Sequence, residues 1–260
     1  MLIKGENEVP RFERVEFRSE GYRLIGNLHC PYENAPCVLL CHGIASSKDS
    51  EKWLTFACNL EDEGYAALRF NFRGCGWGDE WSEGDFQDTT LTSRIKDYKA
   101  ALDFLMSTGK VDTSRLGVIG SSFGGCTIIA ANDPRPKSYV ALATPYRFGA
   151  TPVMLKSFQE KGYYENPGAK EPRMSRIKET LYDDFEQYDM ADAVKKIKHP
   201  LLIIHGSKDA IPLGDARRLY ENANEPKRLE IIEGGSHIFV DTGHLGKVID
   251  LSIDWFKKYL

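Results

Sequence analysis

An α/β fold, a mostly parallel sheet of eight strands covered by helices on both faces, follows from three observations on the sequence. Compact apolar runs recur along the chain and end in Gly or His-Gly; amphipathic stretches of helical period lie between them; and one late segment of more than fifty residues breaks that rhythm. Strands that alternate with helices join into parallel pairs through crossovers, and wholly apolar runs mark strands buried on both faces. A chain of 260 residues is long enough to bury one substantial core.

The elements follow in order. Residues 12 to 30 ("FERVEFRSEGYRLIGNLHC") alternate and turn at Ser19-Glu20-Gly21, which predicts an antiparallel hairpin. "CVLLCHG" is a buried strand, and "EKWLTFACNLEDEGY" a helix with Trp53, Leu54, Ala57 and Leu60 on one stripe. The strand "AALRFNF" leads into a glycine-rich loop, and the helix "TSRIKDYKAALDFLMSTG" stops at Gly109. "LGVIGSSFGGCTIIAA", residues 116 to 131, runs from strand to helix with almost nothing between. "SYVALAT", "PLLIIHG" and "RLEIIEG" are further strands, and "GHLGKVIDLSIDWFKKYL" closes the chain as an amphipathic helix. The exceptional segment carries eight tyrosines and phenylalanines, from Tyr146 to Tyr188, and reads as short helices around a polar break at "ENPGAKEP". The expected domain plan is therefore a core of residues 1–144 and 193–260, with 145–192 inserted after the sixth strand.

Bulk composition narrows the function classes. Hydrophobic residues are 42% and charged residues 28%, with a net charge of −4, so neither nucleic acid nor an anionic membrane surface is an expected partner. The opening "MLIKGENEVPRFERVEF" lacks the apolar stretch of a secretory signal, and no segment has the apolar length to span a bilayer; the expected location is cytoplasmic. The six cysteines then read as reduced thiols, and the spacing of Cys30, Cys37, Cys41 and His42 matches no zinc pattern. "GCGWGD" leads into the acidic "DEWSEGDFQD" rather than opening a helix, which argues against a dinucleotide loop.

In parallel sheets ligands gather at the carboxyl ends of the strands. There the chain places Ser122 after "LGVIG", Asp209 after "PLLIIHG" and His237 after "RLEIIEG". A serine hydroxyl needs a neighbouring imidazole to take its proton, and the imidazole needs a carboxylate to fix its tautomer. Asp184 and Asp189 compete with Asp209 but fall in helical pattern, and His244 competes with His237 but opens the last helix. His42 and His205, each preceding a Gly at a strand end, read as loop-orienting residues.

The G-x-S-x-G at Gly120–Gly124, with acid and histidine following in that order, resembles the nucleophile elbow of the α/β-hydrolase superfamily. The resemblance implies an α/β-hydrolase fold in which the insert forms a helical lid. It also implies an oxyanion hole built from the backbone N–H of Phe123, after the nucleophile, and of Ile44, in the loop after the third strand. The stretch "FNFRGCGWGDEWSEGDFQDTTLTSRIKDYKAALDFL" is similar to small intracellular esterases of the cinnamoyl/feruloyl type, although the elbow has Ser121 and Phe123 where those tend to have His and Gln. The implied function is hydrolysis of carboxylic esters through an acyl-enzyme on Ser122, with no metal or organic cofactor. The implied partner is a small-molecule ester with an apolar or aromatic acyl group. An acyl-peptide or small-peptide hydrolase, a thioesterase and a non-catalytic ligand-binding member of the fold stay open as alternatives, as does a homodimer.

Overall fold

The computed structural model describes residues 11–239 and 243–260; the first ten residues of the charged opening stretch lie outside it. The expected hairpin is β1 (Glu13–Ser19) and β2 (Tyr22–His29), paired so that Ser19 faces Tyr22 across the turn. There follow β3 (Ala35–Cys41), α1 (Glu51–Asp62), β4 (Ala66–Phe70), a two-residue pair β5 (Gly76–Trp77) and β6 (Glu80–Trp81), and α2 (Leu91–Thr108). The next elements are β7 (Val111–Ser121), α3 (Phe123–Ala131) and β8 (Ser138–Leu142). The segment expected as an insert contributes α4 (Pro152–Lys161), the short pair β9 (Tyr164–Glu165) and β10 (Arg176–Ile177), and α5 (Thr180–Phe185). The chain ends with α6 (Met190–Lys196), β11 (Leu201–Gly206), α7 (Leu213–Asn222), β12 (Lys227–Ile232) and α8 (His244–Tyr259).

The eight long strands form one sheet in the order β1-β2-β4-β3-β7-β8-β11-β12. Only the pairings of β1 with β2 and of β2 with β4 are antiparallel. Every residue of β3, β4, β8 and β11 is buried, as their unbroken apolar runs require. Alternate side chains feed opposite faces: Leu39 and Cys41 join Tyr98, Leu102 and Ile128 on one side, while Val38 and Leu40 join Trp53, Phe56 and Phe256 on the other. Helices α2, α3, α6 and α7 cover the first face, and α1 with α8 the second.

Two details differ from the pattern read in the sequence. The buried side of α1 is Lys52, Trp53, Phe56, Ala57 and Leu60, and Leu54 is exposed. Residue 54 is one step round the helix from Trp53, about 100°, which turns it off the stripe that Phe56 completes. Helix α6, N-capped by Asp189, runs across the expected boundary between residues 192 and 193 and packs against α3 and α7.

Candidate active site

The join of β7 to α3 is a single residue. Ser122 holds φ 56° and ψ −122°, the kind of positive-φ backbone that a residue with a Cβ adopts only when its surroundings impose it. They do so here: Ser122 N–H donates to Leu142 O at 2.8 Å, and its carbonyl accepts from Gly125 N at 2.9 Å. The flanking glycines are steric necessities, since a Cβ on Gly120 would lie 2.4 Å from Gly124 O and one on Gly124 would lie 2.2 Å from Cys41 O. Backbone approaches backbone at both points, so no side chain can yield.

Asp209 follows β11 with its carboxylate wholly buried, and His237 follows β12 with about a third of its side chain exposed. His237 Nδ1 lies 2.9 Å from Asp209 Oδ1 and 3.0 Å from Oδ2. A carboxylate only accepts, so Nδ1 carries the proton and Nε2 keeps a free lone pair. Asp209 Oδ1 also accepts from Ile211 N at 2.8 Å, and His205 Nε2 donates to Ile211 O at 2.9 Å. The loops of the two strands are locked together by Ser207 N–H to Ile232 O (2.9 Å), Lys208 N–H to Gly235 O (3.0 Å) and Gly234 N–H to Ser207 Oγ (2.8 Å). Asp209 and His237 are thus held as one unit.

The strand order brings the serine to the same rim. Only β8 separates β7 from β11, and Leu142 faces both Ser121 and Ile204, so the two loops start roughly 10 Å apart. Among the described residues no hydrogen bond joins the Ser122 hydroxyl to the imidazole; ligand-free sites often hold such pairs loosely and tighten them around substrate.

The loop after β3 reaches the elbow from the other side, where a Cβ on Gly43 would lie 3.3 Å from Ser122 Cβ. His42 Nε2 accepts from Phe72 N at 3.2 Å, which leaves Nδ1–H to donate to Gly43 O at 2.8 Å. Burial and the nearby Arg94 hold His42 well below the ordinary imidazole range, hence neutral. Arg94, fully buried on α2, donates through Nη2 to His42 O and through Nη1 to Gly43 O at 3.5 Å, with its guanidinium carbon 3.7 Å from the Phe72 ring centroid. A trans peptide sets its N–H opposite its carbonyl. Holding Gly43 O toward Arg94 and His42 therefore turns the Ile44 N–H the other way.

The competing acids serve elsewhere: Asp189 caps α6, and Asp184 Oδ2 accepts from Thr92 N at 2.9 Å. His244 begins α8. Two groups at the site escape the sequence reading. Arg94 sits on the apolar stripe of α2 with Ile95, Tyr98 and Leu102, and Lys52 sits one turn ahead of Phe56 on that of α1. A charged residue at a stripe position is the signal that marks both.

Aromatic residues between β8 and β11 pack onto the elbow. The ring of Phe123 lies 5.0 Å from Phe148 and 6.0 Å from Phe185, and Phe148 stacks on Tyr182 at 5.1 Å. Tyr146, Phe148, Phe185, Tyr188 and Met190 line a cavity of about 440 Å³ beside this cluster.

Comparison with known proteins agrees with this architecture. Among solved structures, the chain superposes on the alpha/beta hydrolase GrgF from Penicillium sp. sh18 with a TM-score of 0.81 at 20% identity, over 95% of this chain and 98% of that one. It superposes on Est1E from Butyrivibrio proteoclasticus, solved with ferulic acid bound, with a TM-score of 0.74 at 20% identity, over 94% of this chain and 99% of that one. In sequence it is 25% identical to the "Putative esterase YitV" of Bacillus subtilis (strain 168), over 86% of this chain and 89% of that protein. It is also 25% identical to acylamino-acid-releasing enzyme 1 of Oryza sativa subsp. japonica, over 86% of this chain and 30% of that longer protein. Residues 51–260 match the prolyl oligopeptidase family model. With its eight-stranded sheet, its one-residue elbow and a match over most of its length, this α/β-hydrolase chain belongs to the prolyl oligopeptidase family.

Proposed function

We propose that the protein is a serine esterase that hydrolyses small carboxylic esters. Ser122 Oγ attacks the ester carbonyl while His237 Nε2 takes its proton, and Asp209 stabilises the imidazolium that results. The N–H groups of Ile44 and Phe123 receive the tetrahedral oxyanion. The alcohol leaves with the proton from His237, and the same imidazole then deprotonates a water that attacks the acyl-enzyme. Breakdown of this second intermediate returns the proton to Ser122 and frees the acid. Residues 145–192 act as a lid, and their aromatic side chains favour an apolar or aromatic acyl group.

The observation that carries this reading is the buried Asp209 paired with His237 at the rim where Ser122 stands in strained backbone. The relative with an esterase name, and the fold shared with a protein solved with ferulic acid, support an ester over other acyl compounds. An amide or acyl-peptide substrate is the second reading, favoured by the family match and by the acylamino-acid-releasing relative. Ser122→Ala is expected to lower kcat on a short-chain nitrophenyl ester by roughly four to six orders of magnitude, with an unchanged circular dichroism spectrum. A fluorophosphonate probe should label the parent protein and not this variant. Turnover preserved in Ser122→Ala would leave a binding role for the fold. A panel of aryl esters, thioesters and acyl-peptides, ranked by kcat/KM, separates the acyl classes.

A further inference from the structure

The sheet has two outer strands, β1 and β12. β12 runs six residues beside β11 without a bulge, and among the described residues it pairs with no other strand. Its inner edge is fixed by Leu201 N–H to Pro226 O at 3.1 Å and Ser207 N–H to Ile232 O at 2.9 Å. Both carbonyls belong to even-numbered residues. The backbone period of two therefore turns the N–H and C=O of Lys227, Leu229 and Ile231 outward. An edge of this kind is a template for another strand unless something guards it.

The lysine that could guard this edge is turned aside. Lys227 folds back, its ammonium donating to Tyr220 O at 2.8 Å and Ala223 O at 3.0 Å at the end of α7. Ile232 joins the core on the α8 side of the sheet, and Arg228 and Glu230 share its face. There α8 packs on β8 and β11, and the side chains of Arg228 and Glu230 are 50% and 24% exposed. Arg228 Nε donates to Glu230 Oε1 at 2.6 Å. At β1, by contrast, charges are tied to other elements of their own chain: Arg14 to Glu80, Glu13 to Lys110 and Glu16 to Arg23.

We propose that β12 is a docking edge for a second copy of this chain. The two strands run antiparallel about a two-fold axis at Leu229 and join two eight-stranded sheets into one.

The order of charges selects both the occupant and the register. With the axis at Leu229, Arg228 of each copy faces Glu230 of the other. Two Arg–Glu pairs then form at the positions where antiparallel strands bring side chains closest. An axis at residue 228 would set Arg against Arg, and one at 230 Glu against Glu. The backbone agrees independently, because Leu229 is an outward-facing residue and its two copies can exchange N–H···O=C bonds. Ile231 of each copy meets Lys227 of the other at the ends of the paired stretch, where Lys227 N–H is held by Glu225 Oε2 at 3.1 Å. On the α7 face the half-buried Leu229 meets its own copy. Each edge is used once, so the contact is isologous and closes at the dimer.

Sedimentation equilibrium between about 1 and 200 µM tests this on the parent, Arg228→Glu, Glu230→Arg and the double exchange of both. The parent is expected to pass from monomer to dimer with no larger species. Each single exchange sets two like-charge pairs across the axis and should weaken dimerisation by ~10-fold or more, with an unchanged circular dichroism spectrum. The double exchange reverses both pairs and should recover the parent's dimerisation to within about threefold. A parent that stays monomeric throughout overturns the inference and leaves the edge to a different partner. Single exchanges that dimerise as the parent does place the contact elsewhere and overturn it too. A double exchange as weak as the single ones removes the register, and with it the proposal.

Discussion

The Nδ1–H of His237 points at both oxygens of Asp209, 2.9 Å and 3.0 Å away, while that carboxylate is closed to solvent. The geometry predicts what an amide in its place would do. In Asp209→Asn the side-chain NH2 opposes Nδ1–H and drives the imidazole to the tautomer with its proton on Nε2, which cannot accept from Ser122. We expect kcat to fall by roughly four orders of magnitude with KM little changed, measured at saturating ester.

Arg94 tests the proposed oxyanion role of the loop after β3. Arg94→Met fills the same stripe of α2 but releases the carbonyls of His42 and Gly43. With the Ile44 N–H no longer fixed, kcat should drop ~10- to 100-fold, on the scale of a weakened oxyanion donor. Labelling by a fluorophosphonate should slow in parallel, while near-UV circular dichroism stays close to that of the parent.

The elbow glycines give a steric prediction with a built-in control. Gly124→Ala would set a methyl 2.2 Å from Cys41 O, so the turn must shift and activity should be lost with ~3 kcal/mol or more of stability. Gly246→Ala, exposed on α8, meets nothing within 4 Å and should match the parent in kcat without loss of urea midpoint.

His29 predicts acid sensitivity away from the site. Arg69 Nε donates to its Nε2 at 3.1 Å, Nδ1 lies 3.3 Å from Glu61, and burial with Arg69 pushes its pKa down to about 4. A histidine lowered from 6.5 in this way contributes stability above pH 6.5 that is lost as pH falls toward 4, on the order of 3 kcal/mol in full. Urea midpoints at pH 7 and 4.5 should therefore converge in His29→Asn relative to the parent.

The sheet was readable because its strands are buried on both faces: "CVLLCHG" and "PLLIIHG" leave no other use for such runs. The positions of Ser122, Asp209 and His237 were readable because strand ends are fixed by the same runs. Less was visible where side-chain period and chemistry conflict. Lys52 extends the buried stripe on the side away from Leu54, and went unread because a lysine counts as a solvent-facing residue until its amine finds a hydroxyl inside the fold. Arg94 was hidden likewise, its charge held by carbonyls and the Phe72 ring that come from distant parts of the chain. Within the insert the helices were foreseen but not the β9–β10 pair, whose two-residue strands carry no alternation to read.

Phe123 occupies two neighbourhoods at once, its backbone at the elbow and its ring against Phe148 and Phe185 from the stretch between β8 and β11. Trimming those two phenylalanines to widen the neighbouring cavity would loosen the packing that holds the Phe123 amide in place. If the proposed reaction holds, selectivity and turnover would then drift together along a mutational path, and a gain in one would call for a compensating change on α3 to recover the other.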